Sequence, residues 1–232
     1  MNTNHLSERL AAVAGFVPKD TILADIGSDH AYLPCYLVNK GVIQRAIAGE
    51  VVKGPFESAK RNVQANGFSD RIQVRLANGL FAIEETDGVE TITIAGMGGT
   101  LITTILNEGK DRLASVKRII TQPNLHAIAI RQWAVENDFQ LVDEEIMQED
   151  GKIYEILVLE RGTANYSPTD LLVGPILREK CTAVFREKWE REMREWRRVV
   201  AALDKAEQTE EIRQKKSSIL NNYEIVRKVL AT

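Results

Sequence analysis

At 232 residues, with 44% apolar and 27% charged side chains, the chain can build one sizeable core plus an appendage. Its formal net charge of −3 excludes a uniformly basic nucleic-acid binder, yet the charge is uneven: residues 1–162 carry 16 Lys and Arg against 22 Asp and Glu, and residues 163–232 carry 14 against 11. Cys35 and Cys181 have no metal-ligand spacing, residues 1–10 hold no apolar leader core, and no apolar run reaches the roughly 20 residues of a membrane span, so a cytoplasmic chain with free thiols, no metal and no membrane partner is expected.

Residues 6–16 predict an amphipathic helix, with Leu6, Leu10, Val13 and Ala14 on one face. Strands are expected at 21–26, 45–50, 71–76, 90–95 and 118–121, with helices at 31–40, 55–66, 98–108 and 126–137. Such alternation predicts an α/β fold with a mostly parallel, Rossmann-like sheet covered on both faces. After residue 138 the pattern changes, and two strand-like runs at 140–147 and 152–160 are joined by Glu149-Asp150-Gly151, a hairpin signal. Residues 163–170 read as a linker. Beyond it, Phe185, Trp189, Met193, Trp196, Val200 and Leu203, then Ile212, Ile219, Tyr223, Val226 and Leu230, mark two amphipathic helices. They are expected to meet near Gln208, with Thr209 opening the second, as an antiparallel helical hairpin or coiled coil. The expected division is a catalytic domain at 1–162 and a helical domain at 163–232.

The chemistry gathers at strand ends. Asp25-Ile26-Gly27-Ser28-Asp29-His30 leads the first strand straight into a helix, and Glu50 ends the second strand. A glycine turn at a helix start with an acidic residue one strand later suits an adenosine cofactor, the carboxylate accepting from both ribose hydroxyls. Asn78-Gly79 follows the third strand, where the Asn78 carbonyl oxygen can accept the adenine amine; a plain Asn-Gly turn is the alternative. Gly96-Met97-Gly98-Gly99 ends the fourth strand and leaves room for backbone to approach cofactor and substrate. Gln122-Pro123-Asn124 ends the fifth: its amides either hold a base edge, or Asn124 caps the next helix, or both. Tyr32 either stacks on a base or fills the core.

A parallel sheet that closes with an antiparallel hairpin resembles the class I S-adenosylmethionine-dependent methyltransferases. That family places the residues beside the transferred methyl at the end of the fourth strand. The chain lacks an Asn-Pro-Pro-Tyr or Asp-Pro-Pro-Tyr sequence, which argues against attack through an exocyclic amine. Beside a sulfonium cation a protonated His30 is unfavourable, so Asp29 is the better candidate for a functional charge.

The run Asp25 to Pro34, with Leu6-Ser7-Glu8-Arg9-Leu10, Ala95 to Gly99 and Gln122-Pro123-Asn124, closely resembles the bacterial tRNA adenine-N1 methyltransferases of the TrmK family. The resemblance implies methyl transfer from S-adenosylmethionine to N1 of adenine 22 of tRNA. It carries over Asp25, Gly27 and Glu50 as cofactor residues, and the glycine stretch with Gln122-Pro123-Asn124 as floor and wall of the reaction site. Individual roles are then assigned by inference. Ser28, His30, Asn78, Gly79, Gly96, Met97 and Gly98 join the cofactor set, Asp29 and Asn124 are the catalytic candidates, and Tyr32 and Gln122 face the substrate. The basic helical tail, including Arg191, Arg194 and Arg198, offers a phosphate-binding surface. A solvated mixed-charge face and a dimerising coiled coil are its alternatives; a monomer is favoured. The rivals for the whole chain are a methyltransferase of this fold with another acceptor and a non-catalytic cofactor-binding RNA-binding protein.

Overall fold

The structure, a computed structural model, describes residues 5–207 and 209–231. Residues 1–4, at the start of the segment read as leader-free, and Gln208, the expected meeting point of the tail helices, lie outside the described residues. Contacts divide the chain into two units after Ala164.

In the first unit Ser7 opens α1 (Glu8–Gly15), its Oγ accepting the Leu10 N–H at 3.2 Å. There follow β1 (Ile22–Ile26), α2 (Tyr32–Asn39), β2 (Arg45–Glu50), α3 (Lys53–Ala65) and β3 (Ile72–Leu76). Then come β4 (Thr91–Gly98), α4 (Gly99–Glu108), β5 (Arg118–Leu125), α5 (Ala127–Glu136), β6 (Phe139–Glu149) and β7 (Lys152–Arg161). They form one seven-stranded sheet in the order β3-β2-β1-β4-β5-β7-β6. The first five strands are parallel, and β7 pairs antiparallel with both β5 and β6. The expected class of fold and its closing hairpin are therefore present. Leu23, Ala24, Ile92, Ile94, Ile119 and Ile120 are buried, as the middle of a sheet covered on two faces requires.

The strands β4 and β5 run further than the sequence predicts. Their ladder continues to Met97↔Pro123 and Gly98↔Leu125, interrupted by an irregularity between Ala95 and Met97. The glycine stretch is thus a bulge in a strand, which re-aims the end of β4 at the sheet rim. Beneath β6 and β7, Arg131 of α5 is 0% exposed and reaches Glu144 at 2.7 Å and Glu155 at 2.6 Å.

Residues 162–167 lack regular structure ahead of the second unit's α6 (Pro168–Val173) and α7 (Pro175–Lys180), so the expected linker ends earlier than read. The reason is local: Ser167 and Asp170 form a reciprocal capping box with Pro168 at the first turn, a helix start whose composition also suits a loop. Helices α8 (Ala183–Leu203) and α9 (Glu210–Leu230) follow, opened by Thr182 and Thr209. Contacts of Arg186 with Leu230, Arg197 with Tyr223 and Lys216 with Asp204 show that they run antiparallel. Phe185, Trp189, Val226 and Val229 are buried.

Candidate active site

Neighbours of β1 lead to opposite sides of the sheet, β2 on one and β4 on the other, so a crevice opens at the C-terminal ends of these strands. Gly27 stands there with φ +68°, and a Cβ on it would lie 2.1 Å from the Met97 methyl carbon. The ends of β1 and β4 therefore close on each other at this glycine. Asp25 is buried, accepting from Ser28 Oγ at 2.5 Å and Thr93 Oγ1 at 2.6 Å. Burial pushes its carboxyl up, against the pull of those two hydroxyls. Asp25 and Ser28 spend these contacts on each other and on β4, and so brace the turn.

Asp29, His30 and Ala31 follow at φ +38°, +65° and +55°. Three successive non-glycine residues in the left-handed region cost roughly 1–3 kcal/mol each. Two bonds hold the excursion: Glu50 Oε1 accepts the Asp29 N–H, and Asn62 Nδ2 donates to the His30 carbonyl at 2.7 Å. The turn leaves the Asp29 side chain 73% exposed, 3.5 Å from His30 Nε2. Tyr32 is half-buried and stacks on His30, ring centroids 5.3 Å apart, so it packs on the turn.

Glu50 is buried at the end of β2, and its second oxygen accepts no hydrogen bond from the described residues. Burial pushes this carboxyl up; the Asp29 N–H opposes the rise, and the charges of Asp29 and Asp25 add to it. Asn78 is exposed, its Nδ2 lying 3.4 Å from Glu108 Oε2, which leaves Oδ1 as an outward acceptor. Gly79 takes φ +53° against Ile105. Around these two acceptors Val51, Val52, Leu76 and Phe81 are exposed apolar side chains. The sequence carries no signal for them, since exposure of an apolar residue is decided by packing.

The glycines at the end of β4 have different reasons. Gly96 takes φ +79°. A Cβ on Gly99 would lie 2.2 Å from the His126 carbonyl oxygen, a backbone atom that cannot yield. A Cβ on Gly98 would meet nothing within 4 Å, so packing does not require this glycine.

The expected substrate contact of Gln122 needs correction. Gln122 is 0% exposed, its Oε1 accepts the Gly96 N–H at 3.0 Å, and its Nε2 donates to Asn124 Oδ1 at 3.3 Å. It supports the wall and presents no edge to a base. Asn124 is exposed and makes no side-chain cap; its Nδ2 donates to the Gly96 carbonyl at 2.7 Å, and His126, at φ +61°, occupies the position before α5. Arg9 of α1, to which the sequence assigns no role of its own, also donates to Gln122 Oε1. Leu125 beside Asn124 is 70% exposed.

On α8, Arg191, Arg194 and Arg198 are exposed. Arg191 pairs with Glu187 and Arg198 lies 3.4 Å from Glu195, so this face is mixed in charge. Among the described residues no group of three or more His, Cys, Asp or Glu side chains could hold a metal ion, and no helix is long and apolar enough to cross a membrane. Burial pushes the Cys35 thiol up to about 12, which leaves it without thiolate character at neutral pH.

Comparison with known proteins bears on this geometry. The family described as TrmK, tRNA (adenine(22)-N(1))-methyltransferase, matches residues 23–227. The tRNA (adenine(22)-N(1))-methyltransferase of Bacillus subtilis (strain 168) is 44% identical over 99% of each chain. A Streptococcus pneumoniae protein solved in complex with S-adenosyl-L-methionine is 46% identical, with a TM-score of 0.89 over 97% of this chain and 100% of that one. TrmK of M. capricolum, solved with the cofactor product S-adenosyl-homocysteine, is 26% identical, with a TM-score of 0.85 over 97% of this chain and 98% of that one. The chain belongs to the TrmK family of tRNA (adenine(22)-N(1))-methyltransferases.

Proposed function

We infer that this chain transfers the methyl group of S-adenosylmethionine to N1 of adenine 22 of tRNA. The observation that carries the reading is the crevice at the ends of β1, β2 and β4, built from Gly27, Glu50 and Gly98 in a chain that matches the family from 23 to 227. The residues present fit the cofactor. Glu50 keeps one bare oxygen for the ribose, Asn78 turns an acceptor outward for the adenine amine, and Gly98 leaves its space open. When bound, the cofactor supplies an electrophilic methyl carbon.

The chain's own residues orient the partners. N1 of adenine has an in-plane lone pair, so no general base is needed, and positioning and exclusion of water are the main tasks. Glu50 and the turn from Gly27 to Asp29 hold one partner. Asn124, at the end of β5, holds the acceptor base. The methylated base is a cation, and the exposed carboxylate of Asp29 stabilises the charge as it develops. Because N1 lies on the Watson–Crick edge, the adenine enters unpaired or flipped. The exposed arginines of α8 serve the tRNA phosphates, and Arg194, which has no ion-pair partner among the described residues, is the first of them. The same reading places the chain in the cytoplasm and treats it as a monomer, which sedimentation at assay concentration checks.

Incubation with labelled S-adenosylmethionine and an unmodified tRNA transcript tests the proposal. N1-methyladenosine at position 22, mapped by mass spectrometry, is the expected result; transfer to another atom or position, or none, overturns it.

A further inference from the structure

We propose that Arg9 is a positioning residue of the methyl-transfer site, acting through Gln122 to hold the Gly96 peptide and the Asn124 amide in a single arrangement. The proposal rests on the function inferred above.

Arg9 is placed by contacts from three strands. Glu149 Oε1, at the end of β6, accepts the N–H of Glu8 at 2.5 Å and of Arg9 at 3.4 Å, which seats the start of α1. The Arg9 guanidinium lies 5.3 Å from the centre of the Tyr154 ring of β7, and its Nε is 4.0 Å from Glu149 Oε2. Only 21% of the side chain is exposed. Its Nη1 then reaches Gln122 Oε1 of β5.

That oxygen is shared. It also accepts the Gly96 N–H, so two donors fix which end of the Gln122 amide is oxygen. Gln122 Nε2 must then face Asn124 Oδ1, and Asn124 Nδ2 in turn donates to the Gly96 carbonyl. Gly96, Gln122 and Asn124 form a closed ring of hydrogen bonds with one sense of donation. Arg9 adds a charged donor to it, and such chains polarise one another. The ring grips the N–H and the C=O of Gly96, one from each of its flanking peptide groups, at φ +79°, where a Cβ would stand 3.7 Å from Arg9 Nη1. Asn124 keeps one lone pair and one N–H of fixed identity for the acceptor base. Arg9 itself touches no reacting atom in this scheme.

The test uses the full chain as wild type, Arg9→Met, Arg9→Lys, Asn124→Ala and the Arg9→Met/Asn124→Ala double variant. Arg9→Met is expected to lower kcat about tenfold or more, the weight of a hydrogen bond to a charged group. KM for tRNA and affinity for S-adenosylhomocysteine stay within about twofold of wild type. Arg9→Lys restores most of kcat, because an ammonium can still donate to Gln122 Oε1. In the Asn124→Ala background Arg9→Met costs little, as two residues acting in one chain are not additive. A raised KM with unchanged kcat overturns the proposal in favour of a direct phosphate contact. An equal cost in both backgrounds, or a Lys variant as slow as Met, overturns it as well. Absence of transfer by wild type refutes the tRNA activity instead. In that case hydrogen exchange at the Gly96 N–H decides on Arg9 alone: faster exchange in Arg9→Met but not in Arg9→Lys upholds the ring, and equal exchange rates reject it.

Discussion

Replacing Glu50 by Gln and by Ala separates two tasks of one carboxylate. Glu50 Oε1 holds the Asp29 N–H, and its second oxygen is the one proposed above to take the ribose. Gln keeps an acceptor for Asp29 and loses the charge. Hydrogen bonds to charged groups contribute about 1.5–3 kcal/mol against about 0.5–1.5 for neutral ones, so the affinity for S-adenosylhomocysteine should fall by about tenfold in Glu50→Gln. Ala removes the proposed ribose acceptor and leaves the Asp29 N–H unpaired under residues 29–31, all at positive φ. Affinity should then fall about a hundredfold or more, and folding stability by about 1–3 kcal/mol. Stability should respond oppositely in the Gln variant. Burial raises the Glu50 carboxyl above its usual 4.5, so its ionised form is a burden on the folded state at neutral pH. Gln removes that burden and should leave stability at or above the wild-type value. The pH dependence has the matching sign. As pH falls through the raised pKa, the folded state binds a proton that the unfolded state does not yet hold. The contribution of Glu50 to stability therefore improves while cofactor affinity drops, beginning above pH 4.5. Calorimetric titration across that range and urea denaturation read both quantities. Wild-type affinity in Glu50→Gln, or undiminished stability in Glu50→Ala, would refute the reasoning.

Gly27→Ala forces a side chain to φ +68° and drives the Met97 methyl from its place 2.1 Å away, so stability should fall by about 1–2 kcal/mol and cofactor affinity with it. A variant that melts and binds like wild type would show that the turn does not need glycine. Arg131→Met leaves Glu144 and Glu155 buried without their cation, and denaturant titration should register a loss of about 3–5 kcal/mol. A loss below about 1 kcal/mol would mean that the carboxylates find other partners or protons. Combined replacement of Arg191, Arg194 and Arg198 by Glu should weaken tRNA binding and flatten its salt dependence, by up to about three in the log–log slope, with cofactor affinity unchanged. Equal tRNA affinity at every salt concentration would reduce this face to a solvated surface.

Much of the fold was legible because its signals are local. Strand and helix periods, the Asp150-Gly151 turn and the glycine between β1 and α2 each depend on a few neighbouring residues. The family resemblance rested on runs of the same kind, Asp25 to Pro34 above all, and the family match agrees with it. Where two local signals competed, composition misled: the Ser-Pro segment read as a linker, while the capping box of Ser167 and Asp170 makes it a helix start. The site was legible only as a set of strand ends. Gln122 and Asn124 look interchangeable in a string, yet one is buried and the other stands in the open, on the two sides of the irregularity where the β4–β5 ladder shifts register. The three glycines of Gly96, Gly98 and Gly99 look alike too, and only the neighbours a Cβ would meet tell a backbone requirement from an open space. Arg9 lay in a run that carried the resemblance but had no role there, and its meaning comes from a bond to a residue 113 positions away. By itself, the sequence determined which segments become strands, helices and turns. Only the tertiary structure decided which side chains share one rim, since strand order and register bring together groups that no local pattern relates.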